Sequence, residues 1–160
     1  MASLFAALRR PLDFRSRAPR PEFWGWALLF VGSEVLAFLA GVPGALSLWL
    51  LLTLFPHAAA TMRRLHDLDA SGWWAAPHLL LLVSGTLGSD LLAVVIAADE
   101  AAAPEANAWL TVPLFANNVT YLVYTVALAV ALAGDGTHGP NGFGPDPKRR
   151  NPEGASPLDG

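Results

Sequence analysis

Four apolar segments, separated by short polar or glycine-rich stretches, limit what this chain can fold into more than any other feature. A helix rises about 1.5 Å per residue and a bilayer's hydrocarbon core is about 30 Å thick, so about 20 mostly apolar residues span it. Segments at about 22–40, 45–62, 73–98 and 108–133 meet that need. Gly41-Val42-Pro43-Gly44 turns the chain between the first two, because glycine and proline interrupt helices most strongly. Pro56, Pro77 and Pro113 fall inside later spans and are expected to bend them, which is tolerated where neighbours satisfy the freed carbonyls. The expected fold is all-α: an integral membrane four-helix bundle followed by a Gly/Pro-rich loop.

Composition narrows the function classes. Charged residues make up 14% of the 160 positions, against roughly 25% in a soluble domain. A net charge of −3 without a basic stripe argues against nucleic acid. The absence of cysteine excludes disulfides, thiolate metal sites and cysteine nucleophiles. The apolar run Ser3–Leu8 is shorter than the roughly 7–15 residues of a signal-peptide core, so the first span is expected to stay as an uncleaved anchor. Abundant alanine, with arginine as the dominant basic residue, fits a GC-rich bacterial genome.

The basic residues orient the spans, because short cytoplasmic loops are rich in Lys and Arg. Arg9, Arg10, Arg15, Arg17 and Arg20 precede the first span; Arg63 and Arg64 lie between the second and third; Lys148, Arg149 and Arg150 follow the fourth. Together they are all 10 of the chain's basic residues, and the turn at 41–44 and the acidic loop of Asp99, Glu100 and Glu105 hold none. Four spans with both termini in the cytoplasm put every one on the same side. The expected organisation is a cytoplasmic basic segment 1–21, a four-span domain 22–134, a cytoplasmic Gly/Pro loop 135–147 and a tail 148–160 whose composition suits disorder. Trp24, Trp26, Trp73 and Trp74 at the inner ends, and Trp49 and Trp109 near the outer ends, read as headgroup anchors.

The charge is concentrated in "RRLHDLDASGWW", Arg63 to Trp74. Arg63, Arg64 and His66 close the second span, where cations suit the negative end of a helix dipole. Asp67 lies within pairing reach of both arginines at i+3 and i+4. Three readings compete: a stop-transfer cluster with an internal ion pair, a small basic pocket for a phosphate or lipid headgroup, and a catalytic centre. A His-Asp pair without further ligands is a poor enzyme signal. The candidate inner-face network is Arg17, Arg20, Glu22, Arg63, Arg64, His66, Asp67 and Asp146, with Asp146 expected to face an arginine and Phe143 to plug among the helix ends.

Three blocks carry a family resemblance: "FRSRAPRPEFW" at 14–24, "RRLHDLDASGWW" at 63–74 and "GDGTHGPNGFGPDP" at 134–147. In this order, around four spans, they resemble a small bacterial inner-membrane family of unknown function typified by YhaH, over roughly residues 12–147. Ser16 stands where that family usually has glycine, and basic residues that it often carries near Ala70 and Gly142 are missing. The resemblance implies a four-helix inner-membrane protein and brings no activity or catalytic residue with it. The third block also fits G-x-G-x-x-G, but that fingerprint needs a strand before it and a helix after it. A membrane helix precedes it and Pro140, Pro145 and Pro147 follow, so a loop folded back under the bundle is expected instead.

Ionisable and amide side chains inside spans are functional candidates. Glu34, Asp90, Asn117 and Asn118 form one expected layer in the outer half, and His57 and His78 a second nearer the inner face. Interhelical hydrogen bonding, a proton or cation path, and a His/Asp metal site are the readings of these layers. Histidine spacings of 9 and 12 match no compact ligand motif. The expectation is a non-enzymatic, cofactor-free protein of the bacterial inner membrane that meets lipids, and a membrane or cytoplasmic protein partner, through its cytoplasmic face. The alternatives are a small transporter or proton conductor using Glu34 and Asp90, and an enzyme acting on lipid headgroups.

Overall fold

The computed structural model describes the backbone of residues 6–42, 44–98 and 103–148, with side chains for 8–42, 44–98 and 110–148. The acidic loop 99–102, the side chains of Glu105 and Trp109, the basic pair Arg149-Arg150 and the rest of the tail lie outside the described residues. A short helix α1 (Ala6–Arg9) precedes four long ones: α2 (Arg20–Leu39), α3 (Ala45–Asp67), α4 (Ala75–Ala98) and α5 (Ala103–Leu132). A 3₁₀ turn at Gly72–Trp74 leads into α4. Four stretches are long and apolar enough to cross a membrane: Arg20–Leu39, Ala45–Asp67, Gly72–Ala98 and Leu110–Leu132. Among the described residues there is no strand, only an isolated bridge between Asn141 and Gly144.

Local chemistry explains the boundaries. Pro21 sits in the first turn of α2, where its missing N–H has no helical partner to lose. Gly41 and Gly44 adopt φ of 63° and 74°, left-handed values that glycine takes without a Cβ clash, and they make the turn into α3. The apolar stretch of the second span ends near Met62, and Arg63, Arg64 and His66 close its helix as expected: α3 runs to Asp67, so the charged motif is its last turn. There the Ala70 N–H reaches back to Leu65 O (2.9 Å) and the Asp69 N–H to His66 O (3.1 Å), with Asp69 at φ 57°. This is the Schellman arrangement, with an aspartate in the left-handed position that usually falls to glycine. Pro56 and Pro113 lie inside their helices as expected. Pro77 does not: it falls in the first turn of α4, where a proline breaks no helical hydrogen bond.

Each long helix packs on its neighbour in sequence, α2 on α3, α3 on α4 and α4 on α5. Helix α3 is the central element, and its Ala58-Ala59-Ala60 run lets neighbouring backbones come close. Two apolar clusters fill the bundle. One gathers Trp26, Phe30, Leu50, Ala60 and Leu82; the other, at the charged end, gathers Phe23, Leu65, Ala75, Leu128 and Leu132. Trp26 is thus a core residue, 2% exposed, and not a headgroup anchor, because its helical position faces α3. Trp73 and Trp74 are exposed, as anchors should be. Leu28, Leu51, Phe115 and Val130 point outward with well over half their surface bare, the pattern of a lipid-facing exterior.

Candidate functional site

The charged end is built on the last turn of α3, which points four side chains in different directions. Asp67 is fully buried and holds two arginines. Arg17 donates to its Oδ1 from Nε (3.1 Å) and Nη2 (3.0 Å), and Arg64 donates to its Oδ2 one helical turn away. The remaining Arg17 donors reach the Gly/Pro loop: Nη2 to Thr137 O (2.7 Å), and Nη1 to Gly139 O (2.8 Å) and Gly144 O (3.3 Å). Arg64 Nε donates to Leu132 O (2.9 Å) and its Nη2 to Gly134 O. Arg20 Nε also donates to Gly134 O (3.0 Å), its Nη2 reaches Ala133 O, and its Nη1 pairs with Asp135 (2.9 Å). The carbonyls at the end of α5 have no helical donors, and two arginines from other segments supply them.

Arg63 points elsewhere, since successive helical residues differ by about 100°. It pairs with Glu22 (3.0 Å), not with Asp67, and donates to Arg10 O (2.8 Å) and Asp13 O (3.0 Å), pinning the N-terminal segment. The ring of His66 stacks on Phe143, with centroids 4.0 Å apart, while its backbone carbonyl accepts from Asn141 Nδ2 (2.9 Å). Asp146 makes no ion pair with an arginine among the described residues. It closes its own loop, accepting from the N–H of Gly139 (3.0 Å) and of Lys148 (2.9 Å), and these donors hold its carboxyl below the ordinary range.

Three participants lie outside the network that the sequence suggests. Asp13 accepts from Arg15 N, Ser16 N and the Ser16 hydroxyl (3.1, 3.1 and 2.6 Å). Partial burial raises its pKa, but these bonds outweigh that and hold it low. Its signal was an aspartate three residues ahead of a serine in a turn. Thr137 donates its N–H to Asp67 O (2.8 Å). Gly136 packs so tightly on Asp67 that a Cβ there would lie 1.9 Å from Oδ2. By donor accounting, all five N–H groups of Arg17 and four of the five of Arg64 already have protein acceptors. An anion would have to displace internal partners to bind there, so the arrangement is a clamp joining the N-terminal segment, α3, α5 and the loop.

The intramembrane polar residues divide into two groups. His57 Nε2 and His78 Nε2 lie 3.0 Å apart, and His78 Nδ1 lies 3.1 Å from Thr125 Oγ1. Phe30 stacks on His57 at 4.1 Å between centroids and Tyr121 on His78 at 5.3 Å. His57 is 7% exposed, and its Nδ1 has no hydrogen-bond partner. Both histidines line a cavity of about 150 Å³ between α2 and α5, walled by Phe23, Trp24, Val31, Leu128 and Ala129. The second group lies further from the charged end. Asn117 accepts from the Ser84 hydroxyl (2.8 Å) and donates to Leu81 O (3.1 Å), and both amides crowd Gly85. Glu34 and Asp90 line separate cavities that share Leu46, Leu82, Thr86 and Tyr121. Tyr121 also lines the histidine cavity, so it joins the two polar layers. No group of three or more His, Asp or Glu residues fit to hold a metal occurs among the described residues.

Four apolar spans closed at one end by a buried arginine–aspartate clamp define the class: a multi-span integral membrane protein. The chain belongs to the family described as "Protein of unknown function (DUF805)", whose profile matches residues 11–145. It is similar to the inner membrane protein YhaI of Escherichia coli (strain K12), 37% identical over 102 residues that cover 53% of this chain and 86% of the relative. It is also similar to the inner membrane protein YhaH of that strain, 36% identical over 83 residues, covering 46% and 69%. The uncharacterized protein YiiR of the same strain is 32% identical over 139 residues, covering 84% and 85%. These relatives make this an inner-membrane protein. No solved structure matches the chain.

Proposed function

We propose that this protein is a non-enzymatic component of the bacterial inner membrane that holds a lipid in the cleft between α2 and α5. The buried Nδ1 of His57, which has no partner on a residue that lines a mostly apolar cleft, carries the reading. A buried polar nitrogen without a partner is costly, and a ligand's polar group would remove that cost. The saturation of Arg17 and Arg64 turns the reading away from a phosphate pocket on the charged end. The clamp then serves as the scaffold that fixes α2 against α5, and a protein partner would meet the surface of the loop around it. Clustering of basic residues at that end supports a cytoplasmic clamp and loop, with both termini on the same side.

Native mass spectrometry after mild detergent extraction tests this. The wild-type protein should retain a lipid, and Ala129→Trp, which fills the wall of the cleft, should release it while the protein stays folded. A wild-type spectrum without bound lipid in several detergents would overturn the proposal.

A second reading, ion conduction, draws support from Tyr121, which borders the Glu34, Asp90 and histidine cavities. If those carboxyls carry protons, Glu34→Gln and Asp90→Asn should abolish flux in proteoliposomes. We expect flux at background for the wild type and for both variants, because Asn117 is already engaged as an interhelical hydrogen-bonding group.

A further inference from the structure

The chemistry of the cleft is specific enough to name the kind of lipid. This inference rests on the lipid-binding reading above and deepens it. His57 can meet its partner in two ways. If the His57 Nε2–H donates to His78, then His57 Nδ1 is a bare acceptor and the His78 Nδ1–H donates to Thr125. If instead the His78 Nε2–H donates to His57, then His57 Nδ1 carries the proton and the Thr125 hydroxyl donates to His78. The pair therefore presents one nitrogen that can accept or donate, with Thr125 setting its partner's tautomer.

The surroundings restrict what can reach that nitrogen. The Phe30 and Tyr121 rings stack along the histidine pair, so the space beside it is flat-walled and aromatic. A cavity of about 150 Å³ takes one six-membered ring, and because it is open on one side the ring's substituents can lie toward the opening. His57 lies six residues before Arg63, or about 9 Å along the helix, well inside the apolar span Ala45–Asp67. A phospholipid has only ester groups to offer near that depth, and an acyl chain offers none. The wall residues Val31 and Ala129 are apolar and belong to the two outer helices, so a tail leaving between them enters the acyl region.

We propose that the α2–α5 cleft binds a membrane quinone, with one ring carbonyl accepting from His57 Nδ1–H, the ring beside the aromatic pair and the apolar tail leaving between Val31 and Ala129. Binding selects the tautomer in which His78 donates to His57, and so requires the Thr125 hydroxyl to donate to His78. Thr125, which also lines the cleft, thus acts through His78, and its removal should weaken binding even where the ring and tail contacts stay the same.

The test is a thermal-unfolding series on the full-length protein in nanodiscs of dioleoylphosphatidylglycerol, with added decylubiquinone or decylbenzene. Decylubiquinone should raise the midpoint by on the order of 5 °C at saturation. Decylbenzene, which has a ring and tail but no carbonyl, should not. The decylubiquinone shift should vanish in His57→Phe, which keeps the stack on Phe30 and removes both nitrogens, and should fall in Thr125→Val. If His57→Phe fails to fold, Ala129→Trp supplies the loss-of-binding arm, because it leaves the histidine pair intact. Equal shifts from both additives would overturn the quinone assignment and leave lipid binding standing. Retention of phospholipid in native mass spectra without any decylubiquinone shift would do the same. Retention of neither would overturn both.

Discussion

Replacing Asp67 with asparagine tests the clamp most directly. The substitution keeps the shape, but it removes the negative charge between Arg17 and Arg64, whose side chains are 1% and 0% exposed. It also sets an amide N–H₂ against guanidinium donors in a site with no room to turn, because Gly136 packs directly on that carboxylate. Breaking a buried ion pair by removing one partner costs about 3–5 kcal/mol, since the remaining charge is left uncompensated. At about 2–4 °C per kcal/mol for a chain of this size, the unfolding midpoint should fall by roughly 6–20 °C. Fluorescence-detected size-exclusion chromatography after heating measures this in detergent extracts. The control is Asp135→Asn, which breaks an exposed pair with Arg20 whose side chains are 41% and 70% exposed, and should cost under about 1 kcal/mol. If Asp67→Asn melts within 2 °C of that control, the buried charges do not hold this end together.

Other expectations follow from the same geometry. Gly136→Ala should lower the midpoint nearly as far as Asp67→Asn, and the double variant should cost much less than the sum, because both disrupt one contact. Asp146, held below the ordinary carboxylate range by the N–H groups of Gly139 and Lys148, should contribute its loop closure at neutral pH and lose it as pH falls through its lowered pKa. Hydrogen exchange over 134–148, corrected for intrinsic rates, should therefore rise below about pH 4 in the wild type. In Asp146→Asn it should already be raised at pH 7, with little added acid dependence. Reporter fusions after residue 103 and after residue 160 should lie on opposite sides of the membrane, and the same side for both would refute the four-span topology.

The span architecture was legible because hydrophobic length is a one-dimensional property: a run of about 20 apolar residues must become a helix whatever its neighbours do. The ends of the spans were less so. The sequence puts Arg63, Arg64 and His66 at the close of the second helix, but it does not show that buried acceptors carry both arginines into the packed end of the bundle. Which arginine meets which carboxylate depends on azimuth around α3 and on where the loop returns. Spacing alone gave Asp67 two equal suitors, and geometry gave Arg63 to Glu22. Charge alone makes Asp146 an arginine partner, but two nearby backbone N–H groups claim it first. The contact between His57 and His78 could be placed only as shared depth, because nothing in the spacing says that the two residues face each other across α3 and α4.

The two ends of this picture depend on each other. In a membrane the spans gain little from burying apolar surface, since lipid tails are as apolar as leucine, so a bundle can leave its outer helices apart unless something fixes them. Here α2 and α5 bound a cavity, and their alignment is set at the charged end, where Arg20 at the start of α2 and Arg64 at the end of α3 both seize the carbonyls that finish α5. A clamp placed there holds Leu132, which lines the near end of the cleft, and so fixes the width of the cleft without filling it. If the cleft holds a lipid as proposed, the arginines bear on its retention without touching it. Arg64→Lys keeps the charge but loses the fork that spans Leu132, Gly134 and Asp67 at once, so it should weaken lipid retention while leaving His57, His78 and the cavity lining unchanged in sequence. Native mass spectrometry of that variant alongside Ala129→Trp separates the cases. Full lipid retention in Arg64→Lys would mean that the cleft keeps its width without the clamp, and that the two ends of the bundle are independent.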